Sequence, residues 1–511
     1  MSELAKPSSD ILVAVRNLAK LGSSLGLTLV IGFVIRPLLR RWLGPDSFGP
    51  LDAADGFTAV SFIALTLGVD SYIFKEIPLR PKHANDFFAS VLLTRLALCV
   101  PIFAVMQGVM IATHRPPLLQ WLVWVLGLTQ FMIALASTLG SLLQANTTVD
   151  GLSAVNVFSK VLWAAVALGG VALGYGIKAV ALALLFSETI KAALSWSLCR
   201  KHLDLSLATF GWRPAKVIVL ASLPFYLNTV FHTVYNKVDV FLLSVIAGDR
   251  LGVRAGDEET GWYGAASALG GMSMLLVPLL FGVMMPLLAR AREKDPEEYN
   301  RLIKRSLELI LTVAIPITLA LGIGADVGIG LLFGHAYAPA SLALRLLAPV
   351  YLFIYVSIIS GVVLLLENYA WTLAIISACA LVLNLIANLL LIGPALQWYG
   401  PSAGGVACAA IQILTEAAVA TTMVVMMGRR SFDARSVKML LKTAAVCAAV
   451  IGLDWMLRRQ APGIPGLVRM TINGCAYAAG VVLSRAVNVR EMFEFGKQAF
   501  KSKAAEPVVA G

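Results

Sequence analysis

The chain reads as an all-α polytopic membrane protein, and three features say so. Of its 511 residues, 59% are apolar and 14% charged, and the mean hydropathy is +0.82. A soluble globule of that make-up would expose far too much apolar surface. About fourteen apolar stretches follow one another between Leu21 and Leu483, each long enough for a hydrocarbon core roughly 30 Å thick. The loops between them are short, so no sizeable extramembrane domain remains.

The first six spans are placed at 21–39, 57–74, 87–111, 118–143, 155–173 and 177–198. The next six are placed at 217–246, 263–288, 310–333, 342–366, 372–396 and 404–427, with two more at 439–456 and 467–483. The basic stretch 200–216 separates two bundles, giving an N-terminal bundle over 1–199 and a C-terminal bundle over 212–428. Two additional transmembrane helices occupy 439–484, and a polar tail runs over 485–511. The segment 290–304 is charged and amphipathic and is expected to lie on the membrane surface.

Charge placement gives the expected topology. With the N-terminus in the cytoplasm, inner segments hold 26 Lys and Arg, outer segments 10, and five lie within spans. That asymmetry fits the positive-inside rule with both ends cytoplasmic. The net charge of +12 therefore reports topology, and no basic domain for nucleic acid is present. The polar start, 1–20, lacks the small-residue cleavage site of a secretory signal. The six cysteines are isolated and show no spacing for a metal or redox site. No cofactor is implied.

A weak internal repeat runs through the chain. Tyr175-Gly176 leads into a helix containing Ser187-Glu188-Thr189, and Tyr399-Gly400 leads into one containing Thr415-Glu416-Ala417. Phe48-Gly49 before the second span is matched by Trp262-Tyr263-Gly264 before the eighth. Matching elements lie six helices apart, so the two copies enter from the same side. Two such bundles enclose a cleft that rocking opens to either face, which points to an alternating-access transporter rather than a pore or receptor.

The residues then suggest a family. Leu43-Gly44-Pro45-Asp46-Ser47-Phe48-Gly49 and Gly68-Val69-Asp70 flank the second span. Leu223-Pro224-Phe225 and Tyr235-Asn236-Lys237-Val238-Asp239 fall in the seventh. Leu331-Leu332-Phe333-Gly334, Leu346-Leu347-Ala348-Pro349, Asn384 and Gly404-Gly405-Val406-Ala407 follow in order. Over residues 10–430 the chain resembles the polysaccharide-export branch of the multidrug/oligosaccharidyl-lipid/polysaccharide flippase superfamily, the Wzx-like O-antigen and exopolysaccharide flippases. The resemblance implies a V-shaped pair of six-helix bundles, as in MATE transporters. It also implies translocation of undecaprenyl-pyrophosphate-linked oligosaccharide to the outer leaflet, with a polysaccharide polymerase or export machinery as partner. A peptidoglycan-precursor (lipid II) flippase and a cation-coupled multidrug exporter are the alternatives within the superfamily. The longest outer loop, 247–261, holds no histidine or acid/base constellation, so the chain is not read as an enzyme. No phosphate-cradling G-x-x-x-x-G-K-[ST] motif occurs.

Ionisable residues inside spans are the candidate site, because each is costly in hydrocarbon and must pair, snorkel or line water. Arg95, Lys160 and Lys191 are expected one to two turns from the inner helix ends, with Lys20 at the inner end of the first span. Together with Lys237 they are the candidate cations for a pyrophosphate, which fixed positive charge recognises well. Snorkelling or local pairing is the competing reading for each, and Glu188 stands three residues before Lys191. Glu188, Asp239 and Glu416 are the ion-coupling candidates. Arg36, Arg40 and Arg41 at the outer end of the first span could meet the substrate on release, with a solvated cluster as the commoner reading.

Overall fold

The computed structural model describes residues 7–65, 84–145, 149–202, 212–276 and 295–485, with Met284, 288–289 and 291–293 between them. The Gly68-Val69-Asp70 motif, the cations Lys75, Arg80 and Lys82, Pro278, Pro286 and the tail beyond Arg485 lie outside the described residues. Among the described residues the structure is helical, without strands. Ten of the described helices are long and apolar enough to cross a membrane. The protein is therefore a multi-pass membrane protein. Its contacts divide into two compact units, Met1–Gly261 and Trp262–Gly511.

The first unit contains α1 (Pro7–Leu43), α2 (Pro45–Phe62), α3 (Ala84–Ala112), α4 (Pro117–Ala145), α5 (Val149–Ala172), α6 (Gly176–His202) and α7 (Trp212–Leu251). It also holds the first half of α8 (Val253–Gly271). α6 packs on α4 and α5, α1 on α5, and α2 on α4 and α7. The core gathers Phe48, Leu51, Leu122, Leu126, Trp163 and Ala167 from α2, α4 and α5.

The Leu43-Gly44-Pro45-Asp46 segment acquires a local cause. Gly44 takes φ +82°, open to a residue without Cβ, and its N–H donates to the Arg40 carbonyl at 2.9 Å to close α1. Pro45 then starts α2, where its missing N–H costs nothing, and Asp46 meets the positive end of the new helix. Gly49 serves a different need. A Cβ there would stand 1.9 Å from the Asp257 carbonyl oxygen. Gly49→Ala therefore forces backbone apart and is expected to cost about 1–3 kcal/mol, read as a lower melting temperature of the purified protein. Gly108→Ala is the matching control, since its Cβ would meet nothing within 4 Å.

The second unit carries α9 (Pro296–Ile323), α10 (Ala325–Leu332), α11 (Ala340–Leu366), α12 (Ala370–Tyr399), α13 (Ala403–Met427), α14 (Ala434–Gln460) and α15 (Gly466–Leu483). α11 packs on α13 and α9, α12 on α13, and α14 on α15. Asp295 and Asp433 cap α9 and α14 by accepting from Glu297 N at 2.8 Å and Ser436 N at 2.9 Å. The Leu-Phe-Gly segment closes much as the first does: Gly334 takes φ +87°, and Tyr337 is buried beside Phe333 with ring centroids 5.5 Å apart. The Trp262 indole N–H donates to the Ala336 carbonyl at 2.9 Å.

Three details differ from the sequence expectation, the first being that the 247–261 loop is helical except at Gly252, its two parts closing α7 and opening α8. The run placed at 310–333 as one span breaks at Gly324 into α9 and the short α10. Helices also begin earlier than their apolar runs. Polar Asn85, Asp86 and Asp150 are already helical, because a first turn outside the hydrocarbon tolerates polar side chains.

Candidate functional site

Those longer helices reset the depth of the first unit's cations. Arg95 and Lys160 each stand eleven residues from the start of their helix, and Lys191 stands eleven from the end of α6. That is about 16 Å of helix at 1.5 Å per residue, or three turns rather than one to two.

At this level the side chains have distinct surroundings. Arg95 is 2% exposed, and its Nε donates to the Leu65 carbonyl at 2.7 Å. Its Nη1 donates to the Ala134 carbonyl and the Thr138 hydroxyl. It thus caps the 3-10 turn Ile63–Leu65 that ends α2 and ties it to α4. Lys160 lies over the Trp163 ring, Nζ 4.3 Å from the centroid. Its stem passes over Gly32 of α1, where a Cβ would be 3.4 Å from Cε. Arg36, Glu188 and Lys191 are the charges that act on it. Lys191 pairs with Glu188 at 3.5 Å, and Arg36 with Asp55 at 4.0 Å. Lys160, Lys191 and Glu188 therefore come together with Arg36 and Asp55, three cations against two carboxylates. Lys20 lies within α1.

Among the candidates whose side chains are described, the most exposed is on α7. Lys237 is exposed within the span Tyr226–Leu251, and no described residue offers it an ion pair or hydrogen bond. Its backbone carbonyl is where α7 presses on Gly56 of α2. Asp239, two residues on, is 3% exposed, and its Oδ1 accepts from Val240 N at 2.8 Å. The two ionisable groups lie on different faces, as a two-residue step on a helix requires.

Lys237 also has polar company that inspection of ionisable residues alone misses. Thr229, His232, Thr233, Asn236 and Lys237 follow an i, i+3, i+4, i+7, i+8 spacing, which lines one helix face. All five are exposed or half-buried, and His232 meets the Tyr235 ring edge-on at 5.1 Å. A polar stripe at membrane depth is stable where it meets water or a polar ligand. The spacing was present in the sequence.

The carboxylates divide by environment. Glu188 is 21% exposed and paired. Glu416, in the second unit, is 1% exposed on α13, one turn after Gln412. Gln412 accepts from Asn384 Nδ2 at 3.2 Å, and Asn388 Nδ2 donates to the Asn384 side chain at 2.9 Å. Asn384 and Asn388 are fully buried, so α12 and α13 enclose a polar knot within an apolar bundle. Among the described residues no group of histidine, cysteine and carboxylate side chains is arranged to hold a metal ion.

Beyond the end of α7, Asp257 illustrates what burial does to a carboxylate. Desolvation first, and the Asp46 charge second, push its pKa from 3.8 up to about 7. The unfolded chain loses this proton near the ordinary value and the folded protein holds it until about 7. Its contribution to stability is thus complete at acid pH and is lost as pH rises through about 7. The melting temperature is expected to fall across that interval, and Asp257→Asn to flatten the fall.

The family model described as polysaccharide biosynthesis protein matches residues 38–342. Among solved structures, the chain is similar to an inward-facing multidrug resistance MATE family transporter of the MOP superfamily. The TM-score is 0.61 at 14% identity, over 80% of this chain and 98% of that one. It is similar to the lipid II flippase MurJ in an inward closed conformation, with TM-score 0.58 at 13% identity over 91% and 98%. A MOP superfamily transporter from Pyrococcus furiosus, described by a reversed polarity of its binding pocket that suggests a different function, gives 0.56 at 14% over 82% and 96%. At these identities the likeness fixes the fold, which is MATE-like. No curated protein sequence matches.

Proposed function

The chain belongs to the polysaccharide biosynthesis protein family, and we propose that it is a flippase for undecaprenyl-pyrophosphate-linked oligosaccharide repeat units in O-antigen or exopolysaccharide assembly. In this reading it sits in the bacterial inner membrane with both termini cytoplasmic. The bundles 1–199 and 212–428 alternate access to a cleft between them, and the helices of 439–484 are additional. The protein moves its substrate and changes no covalent bond.

One observation carries the reading: the exposed stripe Thr229, His232, Thr233, Asn236 and Lys237 within a membrane-crossing helix. A diphosphate entering a cleft gives up hydration and regains it as charge-assisted hydrogen bonds from a cation such as Lys237. The neighbouring hydroxyl, amide and imidazole groups suit the sugar. The three-against-two excess of positive charge around Lys160 and Lys191 supports an anionic cargo and disfavours a cationic drug. The solved relative with reversed pocket polarity is a precedent for such a change on this fold. Arg95 enters as a positioning residue, since its donors are engaged with Leu65, Ala134 and Thr138. Glu416, with Glu188 and Asp239, is the proposed coupling group, because a buried acid binds a proton or sodium according to the conformation around it.

The test is transport of a fluorescent short-chain polyprenyl-pyrophosphate oligosaccharide into vesicles containing the purified protein. Lys237→Ala is expected to slow transport about tenfold, the scale of one hydrogen bond to a charged group, at unchanged protein yield. Lys237→Arg should retain most of the rate, and Lys160→Ala with Lys191→Ala should slow it further. Arg95→Ala should instead lower yield and melting temperature. Wild-type transport by Lys237→Ala at normal yield would remove the stripe from the mechanism. In cells, deletion should leave lipid-linked intermediates on the cytoplasmic leaflet; unaltered surface glycan would count against the function itself.

A further inference from the structure

A cavity of 510 Å³ opens within the second unit, between α9, α11 and α14. That size is typical of small-molecule sites. Its walls are apolar, with Leu319 of α9, Leu352 of α11 and Ile451 of α14 among them, and its rim is ionic. The cavity uses the last two turns of α9, the first turns of α11 and the last turns of α14. It therefore lies at one end of the bundle, where a membrane passes from acyl chain to headgroup. Trp455, 58% exposed at its edge, is the residue type that anchors at that level.

The rim is a network with one cation to spare. Asp326 receives Arg458 through two bonds of 2.9 Å and Arg469 through one of 2.7 Å. Asp454 receives Arg458 at 2.6 Å and lies 3.1 Å from Arg469. Arg458 is further committed to the Ile323 carbonyl at 2.7 Å. Arg345 differs. It is 40% exposed, its nearest carboxylate is Asp326 at 3.6 Å, and no described residue accepts a hydrogen bond from it. Three guanidiniums face two carboxylates, and the one with donors to offer stands at the mouth of the apolar cavity.

We propose that this cavity is a resident site for an anionic membrane phospholipid, its phosphate held by Arg345 and one acyl chain lodged between α9, α11 and α14. An uncharged lipid would satisfy the walls but not the guanidinium, and a free anion would satisfy the guanidinium but leave the walls bare. Charge complementarity together with the apolar depth selects the phospholipid. Such a lipid would fasten α14 to the rest of its unit, independently of the cargo and of the transport reading.

The experiment uses the full-length protein, delipidated in neutral detergent, with binding read by native mass spectrometry and stability by thermal melting. Phosphatidylglycerol is expected to bind about tenfold more tightly than phosphatidylcholine of the same chains and to raise the melting temperature, whereas inorganic phosphate does neither. Arg345→Gln should erase the preference while keeping the lipid-free melting temperature, because Arg458 and Arg469 still neutralise Asp326. Gly322→Leu fills the cavity from a position where a Cβ meets only Ala348, at 3.8 Å, and should abolish binding of both lipids. Equal binding of the two lipids, full selectivity in Arg345→Gln, unaltered binding in Gly322→Leu, or equal stabilisation by phosphate alone would each overturn the site.

Discussion

Asp326→Ala is expected to loosen the last two helices from the second unit. One carboxylate collects Arg458 of α14, Arg469 of α15 and, more distantly, Arg345 of α11. The charges come from positions 132 and 143 residues away in the chain, so the carboxylate binds elements that no local interaction holds together. Removing it leaves Arg469, 11% exposed, with Asp454 as its remaining carboxylate among the described residues, and Asp454 must then serve two guanidiniums alone. A fully buried pair broken on one side costs about 3–5 kcal/mol; with Asp326 35% exposed, about 2–3 is expected. Asp326→Asn keeps an acceptor without the charge and should fall between. Melting of the purified protein measures the loss. Limited proteolysis in the 461–465 connection locates it, since opening there should precede cleavage elsewhere. A variant within about 0.5 kcal/mol of the parent would show that the network contributes no more than a surface pair.

How far the sequence carries this structure depends on the distance over which each cause acts. Membrane-crossing helices are set by the local run of apolar residues, so the all-helical fold was legible throughout. Their ends were less so. Asn85, Asp86 and Asp150 are polar, and hydropathy stops short of them although the helices do not. By the same shortfall Arg95, Lys160 and Lys191 stand farther from their helix ends than the apolar runs alone give. The stripe on α7 is legible in its spacing, whereas charge alone picks out Lys237 and not Thr229, His232, Thr233 and Asn236. The fate of Arg95 was not legible. Its acceptors Leu65, Ala134 and Thr138 come from two other elements, and carbonyl oxygens carry no sequence signal. Asp326 similarly looked like a residue of one long span until the break at Gly324 placed it in α10.

Arg40 shows the same limit with a larger energetic consequence. Beside Arg36 and Arg41 at the end of the first span it reads as one of a solvated cluster, but it is 1% exposed. The turn at Gly44-Pro45 folds α2 back so that Asp52, 8% exposed, meets Arg40 Nη2 at 2.6 Å. The guanidinium also lies 4.7 Å from the centroid of the Phe48 ring. An ion pair this dry has already lost its water, so its value lies in both partners being present. Asp52→Ala is therefore expected to cost about 3–5 kcal/mol, a large part of the roughly 5–15 that holds an ordinary protein together. Little folded protein should survive extraction at ambient temperature. Arg40→Met combined with Asp52→Leu removes both charges and keeps the volume, and should recover most of the loss, because neither residue then needs the other. A double-mutant cycle on melting temperature separates the pair from the positions themselves. If the single Asp52→Ala protein melts within about 1 kcal/mol of the parent, the buried pair is not what fixes the α1–α2 corner, and the turn at Gly44-Pro45 must hold it instead.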